Sequence, residues 1–423
     1  VSHLPKAKVS GSLSWLKTKA SANPGSVVLM LIGIVGKPST GKSTFFTAAT
    51  SVVVERSPRP FTTIKPNHAI GYVEVECVDK EFGVRCNPKS GYCVNSRRFV
   101  PVDLLDVAGL VPGAHEGKGL GNKFLDDLRQ ADVLIHIVDA SGSTNENGEK
   151  VQVGSYDPAN DVRFLEEELD YWLKGILDDN WQKLLKESKR KKNEELLHEQ
   201  FTGLGISRTA IAKTLTELNL KEKPLEQWGE NEKMGFARKM RRIGKPLLIV
   251  ANKCDIPGAY ANYERLVKQF PDYIIIPCSS EAEIALKEAA KNGFIRYIPG
   301  DPDFEIIKEL TPEQKKAMEF LAGYMKKAGG TGVQKALNTA VFKFLNYIAV
   351  FPVPSDKLSD SKGNILPDCF LMKPGSTAID LAGAIHSSMA DKFIRAIDIR
   401  TKRVLGADYV LKHRDVLEVV FKR

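Results

Sequence analysis

The segment GIVGKPSTGKSTFF, Gly33 to Phe46, limits this chain more than any other. Gly36 is followed by four residues and then by Gly41-Lys42-Ser43, after an apolar run that reads as a strand and before a helical pattern, Thr44 to Thr50. In that context the loop N–H groups ring a phosphate, and the glycines permit the close approach. The residues expected to contact nucleotide here are Gly36, Lys37, Pro38, Ser39, Thr40, Gly41, Lys42, Ser43 and Thr44. Lys42 would reach the β and γ oxygens, and the Ser43 hydroxyl would ligate Mg²⁺. The loop predicts a nucleoside triphosphate. It leaves open the base, the agent that removes the phosphate, and the use of the energy.

At 423 residues the chain exceeds one compact core, so two or three domains are expected. Apolar residues at 43% and charged residues at 27% argue against a disordered or a membrane protein. The longest apolar run, VVLMLIGIV (Val27 to Val35), is too short to span a bilayer and reads as a buried strand. Six scattered cysteines without a C-x-x-C pair suit a reducing cytoplasm. A net charge of +9 favours an anionic partner, with nucleic acid the first candidate. Residues 1–29 carry four lysines, no acid and no arginine, and read as a flexible extension rather than a transit peptide, with the functional protein beginning near Met30.

From Met30 to about Ser143, apolar runs alternate with helical patterns, which predicts a parallel α/β layer. Strands are expected at Leu29–Val35, Ala69–Glu76, Phe99–Asp106, Val133–Asp139, Pro246–Ala251 and Tyr273–Pro277. Between Asp139 and Pro246 the sequence turns long, charged and helix-periodic. Val162, Leu165, Leu169, Trp172, Leu173 and Ile176 share one helix face and read as core packing. Trp181–Gln200 and Met234–Ile243 read as further amphipathic helices. Helical patterns return after Thr311 and at Val333–Tyr347. FPVPSD (Phe351 to Asp356) reads as a turn-like boundary before a small α+β module with strands at Ile394–Ile399 and Val416–Phe421 and a helix near Ala378–Ala390.

Three more signals follow the loop in order. PFTTI (Pro60 to Ile64) fits a switch segment, with Thr63, and Thr62 close behind it, ligating Mg²⁺ when a γ-phosphate is present. LLDVAG ends a strand with Asp106, which would hold Mg²⁺ through water, and with Gly109, whose N–H would sense the γ-phosphate. LLIVANKCD places Asn252, Lys253 and Asp255 after another strand. Guanine offers an N1–H and a 2-amino group, two donors that the Asp255 carboxylate can accept together and that adenine lacks. Lys253 would pack along the base, and Asn252 would meet its Hoogsteen edge and tie the loops together. In CSSE (Cys278 to Glu281), Ser279 and Ser280 would offer N–H groups to the base oxygen. The predicted ligands are GTP and GDP, with Mg²⁺ as cofactor.

GKPSTGKSTFF, PFTTI, DVAGLVPGAHEGKGLGNKFL (Asp106 to Leu125), NKCD and the C-terminal module together resemble an Obg-related GTPase of the YchF-like group, from Met30 to Arg423. The resemblance implies an α/β P-loop GTPase domain with a mostly parallel sheet, an inserted α-helical domain and a small C-terminal α+β TGS domain of β-grasp fold. The corresponding boundaries are 1–29 for the extension, 30–145 and 245–345 for the GTPase domain, 146–244 for the insert and 346–423 for the TGS domain. Members close to YchF itself lack the guanine-reading Asp and prefer ATP. This chain keeps Asp255 and so resembles the archaeal and eukaryotic branch.

Leu110 stands where small GTPases place a water-orienting Gln, so slow intrinsic hydrolysis is expected. His115, on the glycine-rich loop, is the nearest candidate to complete the site when a partner docks. The Asn that holds K⁺ in some related GTPases is Ser39 here, which argues against potassium activation. Cys77, Cys86 and Cys93 have the spacing C-x8-C-x6-C, without the short pair of a usual zinc site, and read as a hairpin insertion without metal.

Lys189-Arg190-Lys191-Lys192 reads as a solvated helix face. Arg238, Lys239, Arg241 and Arg242 lie opposite Phe236, Met240 and Ile243, a one-sided stripe suited to RNA. Arg395, Arg400, Lys402 and Arg403 in the TGS-like module would contact phosphates. The first functional expectation is a cytoplasmic, monomeric switch that binds ribosome or tRNA in its GTP form. The other is a nucleotide hydrolase that regulates a protein effector through the helical insert without touching RNA. A metabolic kinase is disfavoured, because no acceptor-substrate signature accompanies the guanine motif.

Overall fold

The computed structural model describes residues 30–50, 67–107, 109, 128–354 and 357–422. The expectations for residues 1–29, Thr62, Thr63, Leu110 and His115 lie outside the described residues. Seven strands form the first sheet: β1 (Leu31–Val35), β2 (Asn67–Glu76), β3 (Tyr92–Val94), β4 (Arg97–Asp106), β5 (Val133–Asp139), β6 (Leu247–Asn252) and β7 (Ile275–Pro277). Their order is β2-β4-β1-β5-β6-β7, with β3 beside β4. The pairs β4–β1, β1–β5, β5–β6 and β6–β7 are parallel, whereas β2 and β3 meet β4 antiparallel. Every residue of β1, β5 and β6 is buried, as expected for central parallel strands covered on both faces. The polar ends of these strands share one edge, and there the site is built.

Helix α1 (Lys42–Thr50) follows β1, and the helical insert lies between β5 and β6. It contains α2 (Ala159–Asp179), α3 (Trp181–Glu187), α4 (Asn193–Phe201), α5 (Arg208–Glu217) and α6 (Glu230–Gly244). The predicted stripe on α2 is core, but it serves two cores. Leu165 and Leu169 pack with Leu31, Val35 and Leu105 of the sheet, whereas Leu173 packs with Phe201, Trp228 and Phe236 of the insert. The single helix expected over Trp181–Gln200 is two helices, and the KRKK run occupies the turn between them, where no helix face exists.

The basic stripe on α6 is also corrected. Arg241 is 2% exposed, with Nε 2.6 Å from Asp170 Oδ1 and a terminal nitrogen 2.9 Å from Glu166 Oε1. Arg238 also pairs with Asp170, Lys239 with Glu217, and Arg242 with Asp272. Carboxylates of α2, α5 and the chain before β7 therefore neutralise the side of the helix assigned to RNA.

Helices α7 (Ala259–Gln269) and α8 (Ser280–Lys291) complete the sheet layer. A small ribbon of β8 (Ile295–Arg296) and β9 (Glu305–Ile306) precedes α9 (Pro312–Ala328). α9 starts with a Thr311/Gln314 capping box and stops at Gly329, and α10 (Val333–Asn338) follows.

The C-terminal domain is a second sheet of β10 (Ile348–Val353), β11 (Phe370–Met372), β12 (Phe393–Asp398), β13 (Val404–Leu405) and β14 (Val416–Phe421), ordered β11-β10-β14-β12-β13. α11 (Ala378–Ile385) and α12 (Ser387–Asp391) accompany it. Phe351, Pro352 and Val353 are a buried part of β10, not the expected turn. Pro352 is tolerated because pairing with β11 ends at Val350, while the β14 side is served by Phe351 N–H to Asp415 O at 2.8 Å.

Arg241→Met should destabilise the chain by about 3–5 kcal/mol, because it strands the buried Asp170 carboxylate. Lys239→Ala, at a half-exposed pair, should cost under about 1 kcal/mol. Thermal and urea unfolding of the two variants check the contrast.

Candidate nucleotide-binding site

The loop from β1 runs straight into the first turn of α1, so loop N–H groups and a helix N-terminus favour an anion at the same place. Lys42 is buried there, and its Nζ donates to the Lys37 carbonyl at 2.8 Å. Burial brings its pKa down to about 8, with Asp106 opposing the shift. Ser43 Oγ donates to Asp106 Oδ2 at 3.2 Å, while Asp106 Oδ1 is buried without a partner. Burial raises the Asp106 pKa against the pull of Lys42 and Ser43. An orphaned carboxylate oxygen beside a hydroxyl is the donor set a hard divalent cation takes, so these residues fit Mg²⁺.

Two glycines are fixed by close approach. Gly41 has φ +95°, and a Cβ there would lie 2.3 Å from Asn252 Nδ2. At Gly109 a Cβ would lie 2.9 Å from Pro38 Cγ, which sets the end of the Asp106 segment against the phosphate loop.

The other side of the site comes from the end of β6. Asn252 Nδ2 donates to Thr40 O at 3.1 Å, and its Oδ1 accepts from Ser280 N at 3.2 Å and Ser280 Oγ at 2.9 Å. Lys253, in a left-handed conformation at φ 64°, donates from Nζ to Ser39 O at 3.0 Å and to Asp139 Oδ2 at 2.8 Å. Asp255 is half-buried, and its carboxylate pairs with no group among the described residues. Loop, Asp106, Gly109 and the Asn252–Asp255 turn thus meet at one sheet edge.

Three expected roles change. The Ser279 N–H donates to Thr331 O at 2.9 Å and the Ser280 N–H to Asn252, so neither is free for a base oxygen. Ser279 instead caps α8 through Ala282 N–H. The Lys37 side chain turns away from the phosphate loop, and its Nζ lies 2.8 Å from Asp161 Oδ1 and 2.8 Å from Thr144 O, over the Tyr156 ring. Only the Lys37 backbone faces the loop interior.

The comparisons agree with this geometry. A family model described as 50S ribosome-binding GTPase matches residues 31–165. A model for the Obg-like GTPase YGR210-like, G4 motif-containing domain matches residues 250–355, and one for the TGS domain matches 362–421. A GTP-binding protein of Methanocaldococcus jannaschii is 48% identical over 396 residues, covering 93% of this chain and 99% of its own length. A GTP-binding protein of Schizosaccharomyces pombe is 38% identical, covering 82% of this chain and 88% of its own. The chain belongs to the YchF-related group of Obg-like GTPases. The crystal structure of a GTP-binding protein from Pyrococcus horikoshii shares the fold at a TM-score of 0.73 with 36% identity, covering 93% of this chain and all of the other.

Within this YchF-related GTPase the sequence reading missed Asp139, which ends β5 and accepts from Ser141 N–H, Ser143, Thr144 and Lys253. Burial alone would raise its pKa, but Lys253 and the serine hydroxyls outweigh that and hold it low. Its signal was present: an acid at the end of a strand that is apolar but for His136, followed by Ala-Ser-Gly-Ser. His136 was also missed. It is 1% exposed beneath the loop, and burial, with Lys42 and Lys37 adding, brings its pKa down to about 3. It is neutral at physiological pH.

Gly41→Ala combines an unfavourable φ, costing about 1–3 kcal/mol, with a clash on Asn252. It should weaken binding of a fluorescent guanine nucleotide by about tenfold or more. Equilibrium titration checks this, with circular dichroism to show an intact fold.

Proposed function

We propose that this chain is a Mg²⁺-dependent GTP-binding protein that hydrolyses GTP slowly and acts as a nucleotide-dependent switch on ribosome or tRNA. The observation that carries the nucleotide reading is the unpartnered Asp255 carboxylate, on a turn whose Asn252 and Lys253 bond the carbonyls of Thr40 and Ser39. A carboxylate left free at that distance from a phosphate loop suits the paired donors of guanine, and adenine would leave it unsatisfied. The M. jannaschii and S. pombe relatives carry the name GTP-binding protein, whereas a Bacillus subtilis relative, 27% identical over 92% of this chain, is named a ribosome-binding ATPase.

Lys42 swings from the Lys37 carbonyl to the β and γ oxygens, where its charge is matched. Ser43, Asp106 and Thr63 would hold Mg²⁺, which when bound neutralises phosphate charge. Thr63 and the Gly109 N–H sense the γ-phosphate. Leu110 has no polar group to orient water, which supports slow turnover, and His115 completes the site when a partner docks.

The matching family description and the B. subtilis relative's name favour a ribosomal partner. With the α6 cations paired to carboxylates, the RNA-facing set in the C-terminal domain is Arg395, Lys402 and Arg403, all exposed and without a carboxylate partner among the described residues. Arg400 pairs with Glu81 and is not part of that set.

A nucleotide panel should show wild-type protein preferring GTP over ATP. Asp255→Asn should lower GTP affinity by about 100-fold or more while leaving ATP affinity nearly unchanged. A wild-type preference for ATP would refute the base assignment. In sedimentation, ribosome association should appear with a GTP analogue, fade with GDP, and fall steeply with salt. Sedimentation that ignores both nucleotide and salt would favour the protein-effector reading instead.

A further inference from the structure

Cys77 directly follows β2, Cys86 lies in the connection, and Cys93 is on β3. The spacing reading expected an ordinary hairpin insertion, but the three Sγ atoms lie within 4.8 Å of one another. The gathering is local. A run of tight turns over residues 78–84 reverses the chain after Cys77, with Glu81 N–H on Val78 O at 3.0 Å and Val84 N–H on Asp79 O at 3.0 Å. The β3–β4 turn at Asn95 and Ser96, both at positive φ, brings Cys93 back, and Cys77 N–H donates to Ser96 O at 2.8 Å. Cys77 and Cys86 are buried and Cys93 is half-buried.

Arg98 supplies the second observation. It is 1% exposed, and a terminal guanidinium nitrogen lies 3.3 Å from Cys86 Sγ. Its other contacts are the carbonyls of Ser90, Leu366 and Pro367; its Nε has no partner, and no carboxylate pairs with it among the described residues. A buried guanidinium without an anion is costly. A divalent ion held by three thiolates carries one net negative charge, which Arg98 cancels.

We propose that Cys77, Cys86 and Cys93 form a zinc site, neutralised by Arg98, that braces the β2–β3 connection against the C-terminal domain. Thiolates select a soft tetrahedral cation, and zinc needs no redox partner. A Zn–S bond of about 2.3 Å sets tetrahedral sulfurs roughly 3.8 Å apart, so sulfurs that lie within 4.8 Å of one another need to close by no more than about 1 Å. The fourth position falls to water, which keeps that charge balance; Cys369 is buried in the same apolar cluster but is not one of the three sulfurs that lie together. The braced segment holds the C-terminal domain through Asn87 N–H to Ile365 O at 3.0 Å and Lys89 N–H to Pro367 O at 2.9 Å. This site is independent of the nucleotide reading.

The test uses the full chain purified without chelator from zinc-supplemented culture. Elemental analysis should find about one zinc per chain. Stripped protein should take up one Co²⁺ with a thiolate charge-transfer band and the visible absorption of a tetrahedral site. Cys93→Ser, at the half-buried ligand, should lose both signatures and still bind nucleotide, and chelator should lower the thermal midpoint of wild type but not of this variant. Zinc far below one per chain together with no cobalt–thiolate band would overturn the proposal. So would a band that survives both Cys86→Ser and Cys93→Ser, or an intact mass showing that two of the three thiols are joined as a disulfide.

Discussion

The site depends on one side chain, Asn252. Its amide bonds the phosphate loop at Thr40 with one end and the start of α8 at Ser280 with the other. Three loops from three strand ends have no reason to share a plane unless something short spans them. A buried amide does so only when its donor and acceptor are both satisfied, and this one is 2% exposed with both used. Gly41 must lack a side chain for Asn252 to fit, and Lys253 adds a cationic tie from the same turn to Ser39 and Asp139. Asp255 and the loop N–H groups, the groups proposed to recognise the nucleotide, are held in register by these ties, which would lower the ordering cost of binding.

The same loop is tied outward to the insert. Lys37 leaves the loop and meets Asp161 in the first turn of α2, over the Tyr156 ring. α2 carries that contact along its length, packing first on the sheet and then in the insert's own core. Burial raises the Asp161 pKa to about 6 against the pull of Lys37, so desolvation is the larger effect on that carboxylate. A pair of this kind adds little net stability, and its value is positional. Displacement of the phosphate loop at Lys37 is therefore felt at the start of the insert's longest helix.

Much of this was legible in sequence, and the failures have a common cause. β1, β5 and β6 were found because strands covered on both faces must be continuously apolar. That the loop, Asp106 and the Asn252–Asp255 turn meet at one sheet edge was legible because each motif has fixed local spacing at a strand end. Asn252 was placed across the loops correctly, but the other inferences that turned on a distant partner failed. Helical periodicity placed Arg241 on the polar face of α6, but it could not show Asp170, 71 residues earlier, waiting across the helix interface. The Ser279 N–H was assigned to a ligand because Thr331 was not visible as its acceptor. Cysteine spacing hid the gathering of three thiols for another reason: C-x8-C-x6-C is judged by linear distance, whereas turns after β2 and before β4 fold that distance away. Pro352 looked like a break because composition could not show that pairing with β11 ends at Val350, where the N–H that proline lacks is not needed.

Charge is the remaining point, because +9 overall says little about where cations are available. The four on α6 are paired within the chain: Arg241 is buried, and the more exposed Arg238, Lys239 and Arg242 each face a carboxylate. Arg400 and Arg414 join the C-terminal domain to Glu81, and Arg414 also reaches Glu76 at 3.0 Å. Exposed pairs of this kind contribute under about 1 kcal/mol each, so they cannot by themselves fix one domain on the other. The buried Arg98, bonded to Leu366 and Pro367, can, because breaking its bonds strands polar groups away from water, and the backbone bonds of Asn87 and Lys89 add to it. The exposed cations Arg395, Lys402 and Arg403 are thus carried by a domain anchored to β2–β4, the antiparallel edge of the nucleotide sheet. Since β4 ends at Asp106, the strand that bears the proposed Mg²⁺ ligand also bears Arg98, so the candidate phosphate site and the anchored basic surface are joined through one strand.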